Sequence, residues 1–141
     1  MKNEEIESKI HDYYWNENIN CATVMLKVLG QVYNIEIGNQ VIASAAGMHG
    51  AGKYGAQCGL VEGTLMFMGI YGAEKSIANQ NIVEYCYEFA AEFEKKFGSL
   101  RCRELRPEGF DPKNPPHLCE EFTKEAVNFS IEYVLRRVYL D

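Results

Sequence analysis

All four prolines of this 141-residue chain fall between Pro107 and Pro116. Proline removes a backbone donor and clashes within a helix, so this stretch must be a surface connection. Everything before it is free to form uninterrupted helices, and the apolar spacing has helical period. Ile6, Ile10 and Tyr13 or Tyr14 share one face of a segment over residues 4–14, with acids in its first turn. Asn20 is a natural N-cap for a second helix reaching about Tyr33, whose apolar positions are Ala22, Met25, Leu26, Leu29 and Val32. A short helix from Asn39 to Ala46 stops at Gly47.

From Cys58 to about Tyr71 the chain is apolar nearly all round, which predicts a buried central helix, with Gly63 and Gly69 letting neighbours pack close. Met66, Phe67 and Met68 belong to that core. Residues 77–97 carry the stripe Ile82, Cys86, Phe89, Phe93 and Phe97, stopped by Gly98 where a left-handed C-terminal residue is expected. Arg101–Pro107 can form only a short turn. The last helix begins near Pro116 with Cys119, Phe122, Ala126, Phe129 and Tyr133 on one face. No strand alternation, repeat or dividing linker is present. The expectation is an all-α, compact single-domain bundle of about five to six helices over residues 1–141, with breaks at 47–57 and 106–115.

Composition excludes several functions. Lys and Arg number 14 against 20 Asp and Glu, a net charge of −6, and an acidic chain lacks the cations whose counterion release drives nucleic-acid binding. No window approaches the roughly 18 consecutive apolar residues of a membrane span. The acidic start lacks a secretory signal, and five cysteines make an odd number, which argues against a closed disulfide framework and for the cytoplasm.

The cysteines raise the question of chemistry. Cys21, Cys58, Cys102 and Cys119 are separated by 37, 44 and 17 residues, and no C-x-x-C occurs. That excludes thioredoxin-type motifs, zinc ribbons, c-type haem attachment and the clustered ferredoxin run, so any joint site must be assembled by the fold. Cys21 follows the Asn20 cap, Cys58 follows the glycine-rich segment Gly47–Gly55, and Cys119 follows Pro115-Pro116. A helix N-terminus at each place should lower the thiol pKa, and Arg101 and Arg103 could do so for Cys102 by charge. Cys58 is the best candidate thiolate. Four converging thiolates would suit an iron–sulfur cluster or a zinc ion, and two would suit a reversible disulfide with no metal. Cys86, inside an apolar stripe, reads as core filler.

Other residues invite weaker readings. His11 lies on a polar face, whereas His49 and His117 stand near cysteines as possible supplementary ligands, with capping or surface roles as the default. Lys53 among glycines suggests a phosphate cradle, yet neither the P-loop nor the dinucleotide fingerprint is present. Glu62, one turn after Cys58, must face solvent, find a partner or accept a proton beside the thiol.

The surroundings of the four cysteines, Asn20-Cys21-Ala22, Cys58-Gly59-Leu60-Val61-Glu62-Gly63, Phe97 to Leu105, and Cys119 opening the last helix, resemble a family of small bacterial and archaeal redox-active proteins. That family is named for four cysteines and a Cys-Gly-Ala-x-x-Gly motif. Leu60 departs from the usual Ala, and Cys86 has no counterpart. The resemblance implies redox activity or iron–sulfur cluster binding at Cys21, Cys58, Cys102 and Cys119, with an electron-transfer partner protein. The rival readings are a metal-free thiol/disulfide oxidoreductase and a small helical interaction protein whose cysteines only fill the core.

Overall fold

A computed structural model describes residues 1–140. Its helices are α1 (Asn3–Trp15), α2 (Cys21–Val32), α3 (Asn39–Ser44), α4 (Gly59–Glu74), α5 (Asn79–Phe97), α6 (Cys102–Leu105) and α7 (Glu120–Tyr133). Short 3-10 turns at Ala45–Gly47 and Pro116–Cys119 lead out of α3 and into α7, and a π-helical stretch, Val134–Tyr139, continues α7. The count exceeds the expected five to six because the short turn after Arg101 closes into the one-turn helix α6. The connection over 106–115 stays non-helical, as its prolines require.

Helix α4 is the centre. It packs most extensively against α2 and also against α5 and α7, while α1 covers α2 and α7. Close approach comes from small residues. A Cβ on Gly63 would lie 2.6 Å from the Ala22 carbonyl oxygen, so α2 and α4 touch backbone to backbone there. Gly69, expected to do the same, is exposed with nothing within 4 Å; Gly72 does so instead, beneath Ile82. Apolar patterning over α4 could not distinguish these glycines, because a helix hydrophobic all round has no preferred face.

Helix α5 lays Tyr85, Phe89 and Phe93 into the core and ends at Gly98, whose φ of 92° is the left-handed C-terminal conformation. Cys86 is half-buried at the core's margin rather than inside it, and Tyr85 takes the inward position. Rings of Phe89, Phe93, Phe97, Phe122 and Phe129 meet at centroid separations of 4.6–6.5 Å, joining α5 to α7. Buried hydroxyls are paired across helices: Tyr14 with Thr123 at 2.7 Å, Thr64 with Ser130 at 3.0 Å, and Tyr133 donating to the Tyr85 carbonyl at 2.6 Å.

Candidate functional site

The glycine-rich segment folds into an unusual turn. Gly50, Ala51, Gly52 and Lys53 all have positive φ, 71°, 54°, 63° and 72°, a run of left-handed residues that includes two with side chains. Left-handed conformations cost an L-residue about 1–2 kcal/mol each, so neighbouring bonds must hold the run in place. Lys53 N–H donates to the His49 carbonyl at 3.1 Å, and the Gly55 and Ala56 amides both donate to the Gly50 carbonyl. Gly50 lies against Cys102, since a Cβ there would be 3.0 Å from Cys102 Cβ.

Beyond the turn, the chain runs antiparallel to residues 100–103. Gln57 bridges Arg101; Cys58 N–H donates to the Leu100 carbonyl at 2.8 Å and Cys102 N–H to the Ala56 carbonyl at 2.7 Å. This two-bond ladder brings Cys58, the N-cap of α4, to the same corner as Cys102, the first residue of α6. Cys21 opens α2 after the Asn20 cap, whose side-chain oxygen accepts from Thr23 N–H at 2.9 Å. Cys21 Sγ lies against Gly59, the residue beside Cys58, in space that a Cβ would fill. Cys119 ends the 3-10 turn and caps α7.

Four chain segments thus bring Cys21, Cys58, Cys102 and Cys119 to the wall of one narrow cavity of about 30 Å³. Cys86 is not among its lining residues. All five cysteines are free thiols. The family profile described as "Putative redox-active protein (C_GCAxxG_C_C)" matches residues 19–133, a span containing every one of these segments. The chain belongs to that family. The family label spells GCAxxG where this chain has Gln57-Cys58-Gly59-Leu60-Val61-Glu62-Gly63, so membership rests on the long match rather than on the string. No curated protein matches the chain, and no solved structure does.

The electrostatics of the family's cysteines here run against the expectation of lowered thiol pKa values. Burial pushes Cys58 up to about 12, although the N–H groups of Leu60 and Val61 at the start of α4 pull the other way. Cys119 is likewise pushed up to about 12 by burial, against the pull of Arg106. Cys21 is raised well above the ordinary value by burial and then by the other three cysteines, and Cys102 is raised by burial. A few helix-end donors cannot replace the hydration that a buried thiolate loses. Burial thus favours the neutral thiol at all four positions in the reduced, ligand-free protein.

The cation that counters burial is Arg106, which sequence reasoning missed. Its guanidinium lies close enough to Cys102 and Cys119 to pull both thiol pKa values down, and it pairs with Glu108. Its signal was present: Arg106 is four residues after Cys102, one turn along a helix. Arg101 is exposed, and Arg103 acts on Cys102 only weakly, because its guanidinium donates to the Tyr54 carbonyl at 2.6 Å and covers Phe110. Tyr14, buried behind the site, also feels Cys21, Cys119 and Cys58.

The histidines separate. His49 lines the cavity, its Nδ1 3.2 Å from the Asn20 amide nitrogen, and burial followed by the Lys53 charge lowers its pKa. His117 instead stacks on Trp15 with centroids 3.9 Å apart, and His11 meets Glu120 at 3.0 Å on the surface. Glu62 finds a partner, accepting from the Gln57 side chain. Among the described residues, no three His, Cys, Asp or Glu side chains are grouped so as to hold a metal ion.

Proposed function

We propose that this family member is an electron-transfer or redox protein whose centre is made by Cys21, Cys58, Cys102 and Cys119. The observation that carries this reading is the meeting of four free thiols, from four separate segments, at one cavity that excludes the fifth cysteine. The residues do not fit a single zinc ion, which needs its ligands gathered about one point. An iron–sulfur cluster of the [4Fe–4S] kind would suit the donor set better, because each of the four cysteines would ligate a separate iron and the sulfurs need not meet about one point. When bound, such a cluster would supply one-electron transfer. Cys21, Cys58, Cys102 and Cys119 would hold it, and Arg106 would lie beside two of its ligands to offset their negative charge. A partner protein exchanging electrons completes the function, and five free cysteines favour a reducing compartment such as the cytoplasm. No helix among the described residues is long and apolar enough to cross a membrane.

A second reading, reversible disulfide formation without metal, is favoured by the narrowness of the cavity that the four thiols line. Two of the thiols would then join with loss of two protons and two electrons to an oxidised partner. Anaerobic purification followed by iron and acid-labile sulfide analysis tests the first reading: stoichiometric iron and sulfide support it. Iron-free protein whose thiol titre falls by two on oxidation selects the second. Iron-free protein with an unchanging titre removes both.

A further inference from the structure

Beside the cysteine cavity lies an open vestibule of about 410 Å³. The two share Asn20, His49, Lys53 and Pro116 as a common wall. None of the nine residues lining the vestibule is acidic, although acids outnumber bases in the chain. Lys53 makes no ion pair among the described residues, and it is held at φ 72° at the end of the left-handed turn, beside His49. The Asn20 amide nitrogen, whose two hydrogens serve the Ala45 and Ala46 carbonyls at 3.0 Å, lies 3.2 Å from His49 Nδ1 and fixes the imidazole at the wall. The common wall therefore offers an ammonium and a half-buried imidazole, with no carboxylate on the vestibule side; Asp111 lines the cavity beyond it, on the side of Arg106.

We infer that this vestibule is an entrance through which a small anionic compound, carrying a carboxylate or another oxyanion, is drawn to the cysteines, with Lys53 as its principal recognition group. The inference deepens the redox reading by naming the charge class of what reaches the site, and it rests on that reading. Strain in the turn has a use here, because the left-handed run sets the one unpaired cation at the junction of vestibule and cavity.

The test compares two thiol reagents of similar size, anionic iodoacetate and neutral iodoacetamide, on the full chain after reduction and chelator treatment. Mass spectrometry reads the rate at each cysteine. The ratio of the two rates cancels differences in thiol ionisation, and Cys86, remote from the vestibule, is the internal control. In Lys53→Gln the ratio at the cavity cysteines should fall about fivefold, the size of one charge contact in water, with no change at Cys86. Lys53→Arg should keep the wild-type ratio, and salt near 1 M should flatten it. Equal ratios in all three proteins would overturn the inference, as would an equal fall in Lys53→Arg or at Cys86. Inertness of all four cavity cysteines to both reagents would also overturn it, since the entrance would then lead nowhere. Iron and sulfide content, measured on the same preparation before chelation, judges the redox centre separately.

Discussion

Replacing Asn20 should loosen two parts of the molecule at once, and the two losses can be told apart. Its side-chain oxygen accepts from Thr23 N–H at 2.9 Å and from the Thr23 hydroxyl at 3.1 Å, capping α2 directly before Cys21. Its amide nitrogen donates to the carbonyls of Ala45 and Ala46, each at 3.0 Å, and meets His49 at 3.2 Å, tying the approach to the glycine-rich turn onto the start of α2. Losing the cap costs about 1 kcal/mol. Losing two hydrogen bonds to loop carbonyls adds about 1 kcal/mol each, less where water reaches the freed oxygen. Asn20→Ala should therefore destabilise the reduced protein by about 2–3 kcal/mol, and at about 3 °C per kcal/mol for a chain of this size Tm falls by about 6–9 °C. Asn20→Asp keeps the acceptor at the helix start but turns a carboxylate toward two carbonyl oxygens, so it should lose only the tether, about 1–2 kcal/mol. Urea unfolding followed by circular dichroism gives the totals, and amide hydrogen exchange gives the parts. Both variants should speed exchange over residues 48–56, while only Asn20→Ala exposes the Thr23 amide. An Asn20→Ala protein within about 0.5 kcal/mol of wild type, or unchanged exchange in the turn, would refute the reasoning.

Three further perturbations test the packing and electrostatics. Gly59→Ala should destabilise by about 1–3 kcal/mol in urea unfolding, because its Cβ would collide with Cys21 Sγ and lie 2.9 Å from Ala22 N, whereas Gly69→Ala, with nothing within 4 Å, should be neutral or stabilise by up to about 1 kcal/mol. Ala51→Gly should stabilise by up to about 1 kcal/mol, since glycine accepts the φ of 54° without the side-chain penalty; a loss of stability would mean that the left-handed run is not strained. Stability of the reduced, metal-free protein should be level below about pH 9 and fall as pH rises toward 12, because Cys58 and Cys119 ionise near 9 when unfolded and near 12 when folded, so the native state binds more protons over that window. Urea midpoints from pH 8 to 11 check this, and a midpoint that rises with pH would contradict it.

The helices were legible where one physical cause acts locally. The stripe from Ile82 to Phe97 and the stop at Gly98 follow from 3.6-residue periodicity and the freedom of glycine at positive φ, and α5 ends there at φ 92°. The four cysteines were legible as a set through their surroundings, although no local spacing joins them. What could not be read was everything created by tertiary contact. The Gln57–Arg101 bridge that aligns Cys58 with Cys102 joins segments 44 residues apart, and no strand pattern announces a ladder of two bonds. Helix N-termini correctly suggested donors near sulfur, but the sign of the pKa shifts is set by burial, which depends on the finished packing. Arg106 displaced Arg103 as the thiol's cation because Phe110 and the Tyr54 carbonyl take the Arg103 guanidinium.

The central claim, that Cys58 belongs to a working site and Cys86 does not, is tested most directly by comparing Cys58→Ala with Cys86→Ala. Cys58 lines the cavity, capping α4, whereas Cys86 sits half-buried on α5 away from it. Bound iron, sulfide and redox-dependent thiol titre should be measured in both variants and in wild type, at matched folding by circular dichroism. Cys86→Ala should keep wild-type iron and sulfide, and its loss of thiols on oxidation should be unchanged, with a stability cost of at most about 1–2 kcal/mol. Cys58→Ala should lose the site. Equal losses in the two variants, or none in Cys58→Ala, would contradict the account.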